Sequence, residues 1–237
     1  MKKVLIVSRR LLRKNKPINW VSEIYLELLA KQQIMPIIVP IAEATKTILD
    51  EYLKEYDGLL MMEGGDIDPM YYGENYNTDL LDEYDALKDE IEVACLQDAL
   101  ENNKAVLGFC RGMQLINSLH GGTIYKDVHE ANEGKVVHLD YQNYDAHRHV
   151  ISIIENTPLS VWYGKSSLTV NSYHHQGIKV LGNNLKPMAV ADDGLIEAIY
   201  NPNKKFVFGL QFHPERMLDE HVGNYKVFEA FGNAICK

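Results

Sequence analysis

The sequence predicts a doubly wound α/β domain: a mostly parallel sheet covered by helices on both faces, with an additional antiparallel β portion in the C-terminal half. Two observations predict it. In the first half, short and fully apolar runs alternate with segments whose apolar residues recur at three- and four-residue spacing. Strands with no polar face belong to sheets buried on both sides, built from parallel strands and right-handed crossovers. In the second half, strand-like runs follow one another with turn residues between them.

The elements follow in order. VLIVS (4–8) is a short run rich in β-branched residues, and 20–32 is helical, with Val21, Ile24, Tyr25, Leu28 and Leu29 on one face. MPIIVP (35–40) is the next strand, 43–55 a helix and DGLLMME (57–63) a third strand. A long helix spans 82–102, with Leu87, Ile91, Ala94 and Cys95 spaced along one side. AVLGF (105–109) is the fourth strand, and 111–120 a helix ended by Gly121-Gly122. Segments 147–154, 168–173, 186–192, 195–200 and 205–212 read as strands, joined by turns such as Asp193-Gly194 and Asn201-Pro202. A terminal helix covers about 220–235. With no repeat, low-complexity tract or linker, residues 1–237 are expected to form a single domain.

Composition narrows the function. Apolar residues make up 46% and charged residues 24% of the 237, ordinary for a globular protein, and the formal net charge is −9. An acidic chain without a basic stripe is a poor nucleic-acid binder. Its one basic cluster, Arg9, Arg10, Arg13, Lys14 and Lys16, is expected to be a solvated loop. The apolar run after MKK stops at five residues and meets two arginines, too short for a signal peptide, and no stretch approaches a membrane span. Three cysteines, Cys95, Cys110 and Cys236, have no paired spacing, which fits a reducing cytoplasm. No nucleic-acid or membrane partner is expected; a homo-oligomer is compatible with the sequence.

Ligands of open parallel sheets bind at the carboxyl ends of the strands, here after 63, 109 and 212. Gly108-Phe109-Cys110-Arg111-Gly112 is the thiol counterpart of the G-x-S-x-G nucleophile elbow. The turn strains the nucleophile's backbone, and its tight fit between strand and helix calls for glycine on both sides. The helix N-terminus beneath Cys110 favours a thiolate, and the Arg111 amide points where an oxyanion would form. A thiol nucleophile needs a base, and the base an orienting group. FVFGLQFHPE (206–215) offers His213 and, two residues on, Glu215.

Other stretches read less sharply. Gly64-Gly65, in MEGGDIDPMYYGE (62–74), is either a second oxyanion donor or an ordinary glycine turn capped by Asp66. His174 and His175 would face opposite sides of a strand. His147 and His149, two apart, share a face and resemble a metal pair, but no further ligand stands at suitable spacing. Surface histidines on a hairpin are the preferred reading, and no metal or cofactor is expected.

Together these stretches resemble the class I glutamine amidotransferase superfamily, and within it the γ-glutamyl-γ-aminobutyrate hydrolase branch of C26-type cysteine peptidases. The matching segments are GGDIDPMYYGE, VLGFCRGMQLINSLHGGTIYKDVH, NSYHHQGI, ADDGLIEAI and GLQFHPE. The resemblance implies a flavodoxin-like core, a Cys110–His213–Glu215 triad and an oxyanion hole at the Gly65 and Arg111 amides. It also implies that Gln114 helps bind the glutamyl group and that His174, His175 and Gln176 belong to a loop lining its pocket. Lys88-Asp89 stands where the branch often has Arg-Asp, Ala105 where Pro is common, and Glu63 where Pro or Ser is usual. A lysine cannot copy a bidentate arginine contact.

The implied activity is hydrolysis of a small γ-glutamyl amide through a γ-glutamyl thioester. The released amine could be γ-aminobutyrate, a polyamine, another amine or an amino acid. Loops 66–76 and 171–178 are where its identity would be read. One alternative is a glutaminase subunit handing ammonia to a synthetase partner; YYGE after GGDIDP and the HHQGI form of the pocket loop favour the stand-alone hydrolase. Another is a silent γ-glutamyl-binding relative, against which all three triad residues count.

Overall fold

Side chains of the first apolar run alternate between two cores, which is why the run has no polar face. Strand β1 (Lys3–Val7) sends Val4 and Ile6 into one core and Leu5 and Val7 into the other. The computed structural model describes residues 1–75, 77, 81–131, 135–144 and 146–236. After β1 come a hairpin of β2 (Arg9–Arg13) and β3 (Lys16–Trp20), helix α1 (Glu23–Lys31), β4 (Met35–Val39), α2 (Glu43–Lys54) and β5 (Gly58–Met61). Then follow α3 (Ala86–Glu101), β6 (Ala105–Phe109), α4 (Arg111–Leu119), β7 (Thr123–Tyr125) and α5 (Val128–Ala131). The remainder is β8 (Arg148–Ile153), α6 (Pro158–Tyr163), β9 (Ser167–Asn171), β10 (Gly177–Val180), β11 (Lys186–Ala191), β12 (Ile196–Tyr200), β13 (Val207–Leu210) and α7 (Val222–Cys236).

Five strands pair in parallel in the order β4-β1-β5-β6-β13, the flavodoxin-like arrangement. The sheet continues antiparallel through β12, β11, β8 and β9, while β10 pairs with β12 and β7 beside it. The parallel core and the antiparallel C-terminal portion therefore form as expected. Tyr25, Leu28 and Leu29 of α1 meet Phe228 and Phe231 of α7 on one face. On the other, α3 and α4 contribute Ile91, Leu96, Met113 and Ile116. From β1 the chain steps one way to β4 and the other way to β5, so a switch-point crevice opens at the carboxyl ends of these strands. No described helix is long and apolar enough to cross a membrane.

One expectation of the fold fails, for a physical reason. The basic segment is a β-hairpin, not a solvated loop: Lys14 and Asn15, at φ 50° and 58°, make its two-residue turn. Its strands lack apolar alternation because charge pairing holds them down. Arg10 Nε donates to Asp85 at 2.8 Å, and Arg9 Nη2 to Glu83 at 2.7 Å. The short α6 was also unanticipated, although Thr157 caps it reciprocally with Ser160, Pro158 opens it and Gly164 ends it in the left-handed region.

Candidate active site

Cys110 is the hinge between β6 and α4, at φ 49° and ψ −106°, a conformation that side chains other than hydrogen rarely adopt. The flanking glycines allow it. A Cβ on Gly108 would stand 2.7 Å from the Gly112 carbonyl carbon, and one on Gly112 would stand 2.8 Å from Met61. The Cys110 amide donates to Leu210 O at 2.7 Å, tying the elbow to β13. That strand then delivers Gln211, whose Nε2 donates to Cys110 Sγ at 3.4 Å.

Just beyond β13 the chain presents His213. Its Nδ1 lies 2.9 Å from Glu215 Oε1, which leaves Nε2 for the cavity side. Asn171 clamps the His213 backbone from both sides, accepting from its N–H at 2.8 Å and donating to its carbonyl at 2.9 Å. Burial pulls the His213 imidazole down. The Glu215 carboxylate and a hydrogen bond with Cys110 outweigh it, and the pKa is held up at about 10. The Tyr25 hydroxyl sits between carboxylates, 2.8 Å from Glu215 Oε1 and 3.0 Å from Glu63 Oε2. Glu63 in turn pairs with Arg216 at 3.2 Å and Arg9 at 3.6 Å. Burial works against the Glu63 charge, yet His213, Arg216 and Arg9 carry its pKa down to about 2.

Cys110, His213, Glu63, Arg9 and Arg216 line one cavity of about 450 Å³ with Gly65, Gln114, His174, His175 and Gln176. Gln114 Nε2 donates to Gln176 O at 3.1 Å and Gln211 Oε1 at 3.2 Å, so helix α4 is cross-linked to the HHQ segment. Gly65 packs so closely on the 82–83 backbone that a Cβ would come within 2.4 Å of Glu83 O. Asp66 does not cap its own turn. It accepts from the Asp82 amide at 3.0 Å and meets His175 Nε2 at 2.9 Å. That hydrogen bond, ahead of an opposing burial effect, raises the His175 pKa. Tyr76, in one of the two loops expected to read the amine, lies outside the described residues.

Arg111 is not among the residues that line the cavity. As the first residue of α4 it has an amide without an intrahelical acceptor, while its side chain is buried in ion pairs with Asp89 and Glu92. Lys88 joins the same buried group, 2.5 Å from Glu92 Oε1, and burial pushes its pKa well down. Lys88-Asp89 thus lies beneath the elbow and does not line the cavity. Both cations crowd Gly64, where a Cβ would meet Arg111 Cδ at 2.9 Å and Lys88 Cε at 3.1 Å.

The surface-histidine reading is wrong for three of the residues it concerned. His174 is 5% exposed, and the His149 imidazole is buried beside Glu197. His175 is mostly enclosed between Asp66 and Asp127. His147 does not share the fate of His149; its Nε2 lies 2.6 Å from Val137 O. Sequence reasoning also missed Arg9, Tyr25, Asn171, Gln211 and Arg216. Gln211 and Arg216 flank the His213 motif, and proximity to it was the signal that could have found them.

Fold, cavity and sequence similarity define a glutamine amidotransferase-like amide hydrolase. More narrowly, the chain belongs to the Peptidase C26 family, whose sequence profile matches residues 7–215. It is 37% identical to the Lactococcus lactis protein named "Putative glutamine amidotransferase-like protein YvdE", over 83% of this chain and 81% of that one. It is 30% identical to the γ-glutamyl-γ-aminobutyrate hydrolase PuuD of Escherichia coli, over 89% and 84% of the two chains. Among solved structures, a Thermotoga maritima glutamine amidotransferase superposes with a TM-score of 0.64 at 13% identity, covering 99% of this chain and 96% of that one.

Proposed function

We propose that the chain hydrolyses the amide bond of small γ-glutamyl amines, with Cys110 as nucleophile, His213 as proton carrier and Glu215 as its orienting carboxylate. The observation that carries this reading is the backbone of Cys110. A strained, positive-φ thiol between two glycines that admit no Cβ has no packing rationale, and it shares its cavity with the buried imidazole of His213, whose Nδ1 is held by Glu215. Residues 1–237 are read as one domain, a view supported by the continuous main sheet.

His213 takes the Cys110 proton, and the thiolate attacks the δ-carbonyl carbon of the glutamyl group, forming a C–S bond. The carbonyl oxygen takes the negative charge and is stabilised by the Gly65 and Arg111 amides, each worth about 3 kcal/mol in comparable oxyanion holes. As the tetrahedral centre collapses, His213 gives its proton to the departing nitrogen and the C–N bond breaks. A γ-glutamyl thioester and a free amine remain. Water then loses a proton to His213 and attacks the thioester; the C–S bond breaks and glutamate leaves. Gln114, with His174, His175 and Gln176, forms the glutamyl side of the pocket.

The name of the PuuD relative points to γ-glutamyl-γ-aminobutyrate as the first substrate to try. Glutamate release from a panel of γ-glutamyl amides, with glutamine included, tests the reading. Turnover of γ-glutamyl amines by the isolated chain, with glutamine poor, is the expected result. Activity that appears only with a synthetase present would assign the chain to ammonia delivery instead.

A further inference from the structure

Behind the HHQ wall of the cavity, His174 meets a cluster of side chains that take no part in hydrolysis. Glu197, on β12, is wholly buried. Its Oε1 stands 3.5 Å from His138 Nδ1, 3.6 Å from His149 Nε2 and 3.6 Å from His174 Nε2. Six atoms here are buried with no hydrogen-bond partner among the described residues: both Glu197 oxygens, both His149 nitrogens, His138 Nδ1 and His174 Nε2. Native interiors pair nearly all such atoms, so a concentration of them around one carboxylate calls for an explanation.

The spacing is that of ligands around an ion. Two ligands about 2.0–2.1 Å from a tetrahedral ion stand about 3.4 Å from each other. The ligand atoms of His138, His174 and Glu197 all lie within 4.8 Å of one another, and the Glu197 contacts are 3.5–3.6 Å. The outward nitrogens are already engaged. His138 Nε2 donates to Asp193 Oδ2 at 2.9 Å, and His174 Nδ1 donates to Gln176 O at 2.9 Å. Each bond places the ring proton on the outer nitrogen and turns the inner lone pair toward Glu197, as the outer partners of metal-bound histidines do.

Charge points the same way. Among the described residues, the ion-pair partners of Glu197 are imidazoles only. No lysine or arginine is paired with this buried carboxylate there, and a bound cation is the charge that would match it.

We propose that His138, His174 and Glu197 bind a divalent transition-metal ion of the zinc class, with His149 Nε2 beside the remaining coordination position. The ion is structural. It holds His174, and the Gln176 carbonyl accepts from both His174 Nδ1 and Gln114 Nε2, so it braces the segment lining the glutamyl pocket.

The test uses the full chain purified without a histidine tag. Metal content is measured by mass spectrometry, and zinc(II) affinity by competition with a chromogenic chelator. Because zinc also binds thiolates, Cys110→Ala is measured beside the wild type. One equivalent of tightly bound zinc is expected in both, with a thermal midpoint that falls on chelation and returns with zinc. Glu197→Gln removes the anionic ligand and is expected to weaken binding at least about 100-fold, abolishing the zinc response of the midpoint. Asp193→Asn keeps every ligand and is expected to weaken binding about 10-fold, which carries the test should Glu197→Gln fail to fold. A wild type that takes up no zinc overturns the proposal, as does undiminished affinity in these two variants. These readouts do not depend on hydrolase activity.

Discussion

His213 Nδ1 lies 2.9 Å from Glu215 Oε1, although only one residue, Pro214, separates them in sequence. A short 3₁₀ turn begun by that proline folds the carboxylate back onto the ring. Glu215→Gln preserves the shape but removes the charge that fixes the ring's tautomer and stabilises the imidazolium. A fall in kcat of about 10²–10⁴-fold is expected, with KM little changed. Steady-state kinetics on a γ-glutamyl amide check this.

The pH dependence of stability has a definite sign at His213. Its pKa is held up at about 10, against an ordinary value of 6.5, despite burial acting downward. A raised pKa means the folded state holds the proton more tightly. This contribution is complete below about pH 6.5 and is lost as pH rises through about 10. The stability difference between wild type and His213→Asn, from urea melts, is expected to shrink across that window.

Glu63 behaves in the opposite sense. Its pKa is about 2 against an ordinary 4.5: burial opposes ionisation, and His213, Arg216 and Arg9 prevail. Its contribution is present above about pH 4.5 and fades as pH falls toward 2. Acid titration of wild type against Glu63→Gln is expected to show the two curves converging over that interval.

The elbow admits no methyl group. Gly108→Ala would bring Cβ within 2.7–2.8 Å of the Gly112 backbone, which cannot swing aside as a flexible side chain would. A stability loss of about 1–3 kcal/mol is expected, accompanied by loss of turnover as the thiol is displaced. Denaturant melts and glutamate release report the two effects separately.

Much of this was legible in the sequence because local chemistry and fold agree there. Cys110 between Gly108 and Gly112 declares a sharp strand-to-helix turn, and the apolar runs of β1, β5 and β6 declare a sheet covered on both faces. The pieces that stayed hidden are held by partners far away in the chain. Arg9 reads as a solvated loop cation until the hairpin brings it to Glu83 and Glu63. Tyr25 reads as a core residue of α1, which it is, and only the tertiary fold puts its hydroxyl between Glu63 and Glu215. His138, His149, His174 and Glu197 have no common spacing, since four separate segments carry them to one point.

The most direct test is to quench the reaction with acid during turnover of a γ-glutamyl amide and map the acylated peptide by mass spectrometry. A γ-glutamyl thioester on Cys110, absent from Cys110→Ala together with all glutamate release, is the predicted result. Continued hydrolysis by Cys110→Ala, or an adduct on another residue, would contradict it.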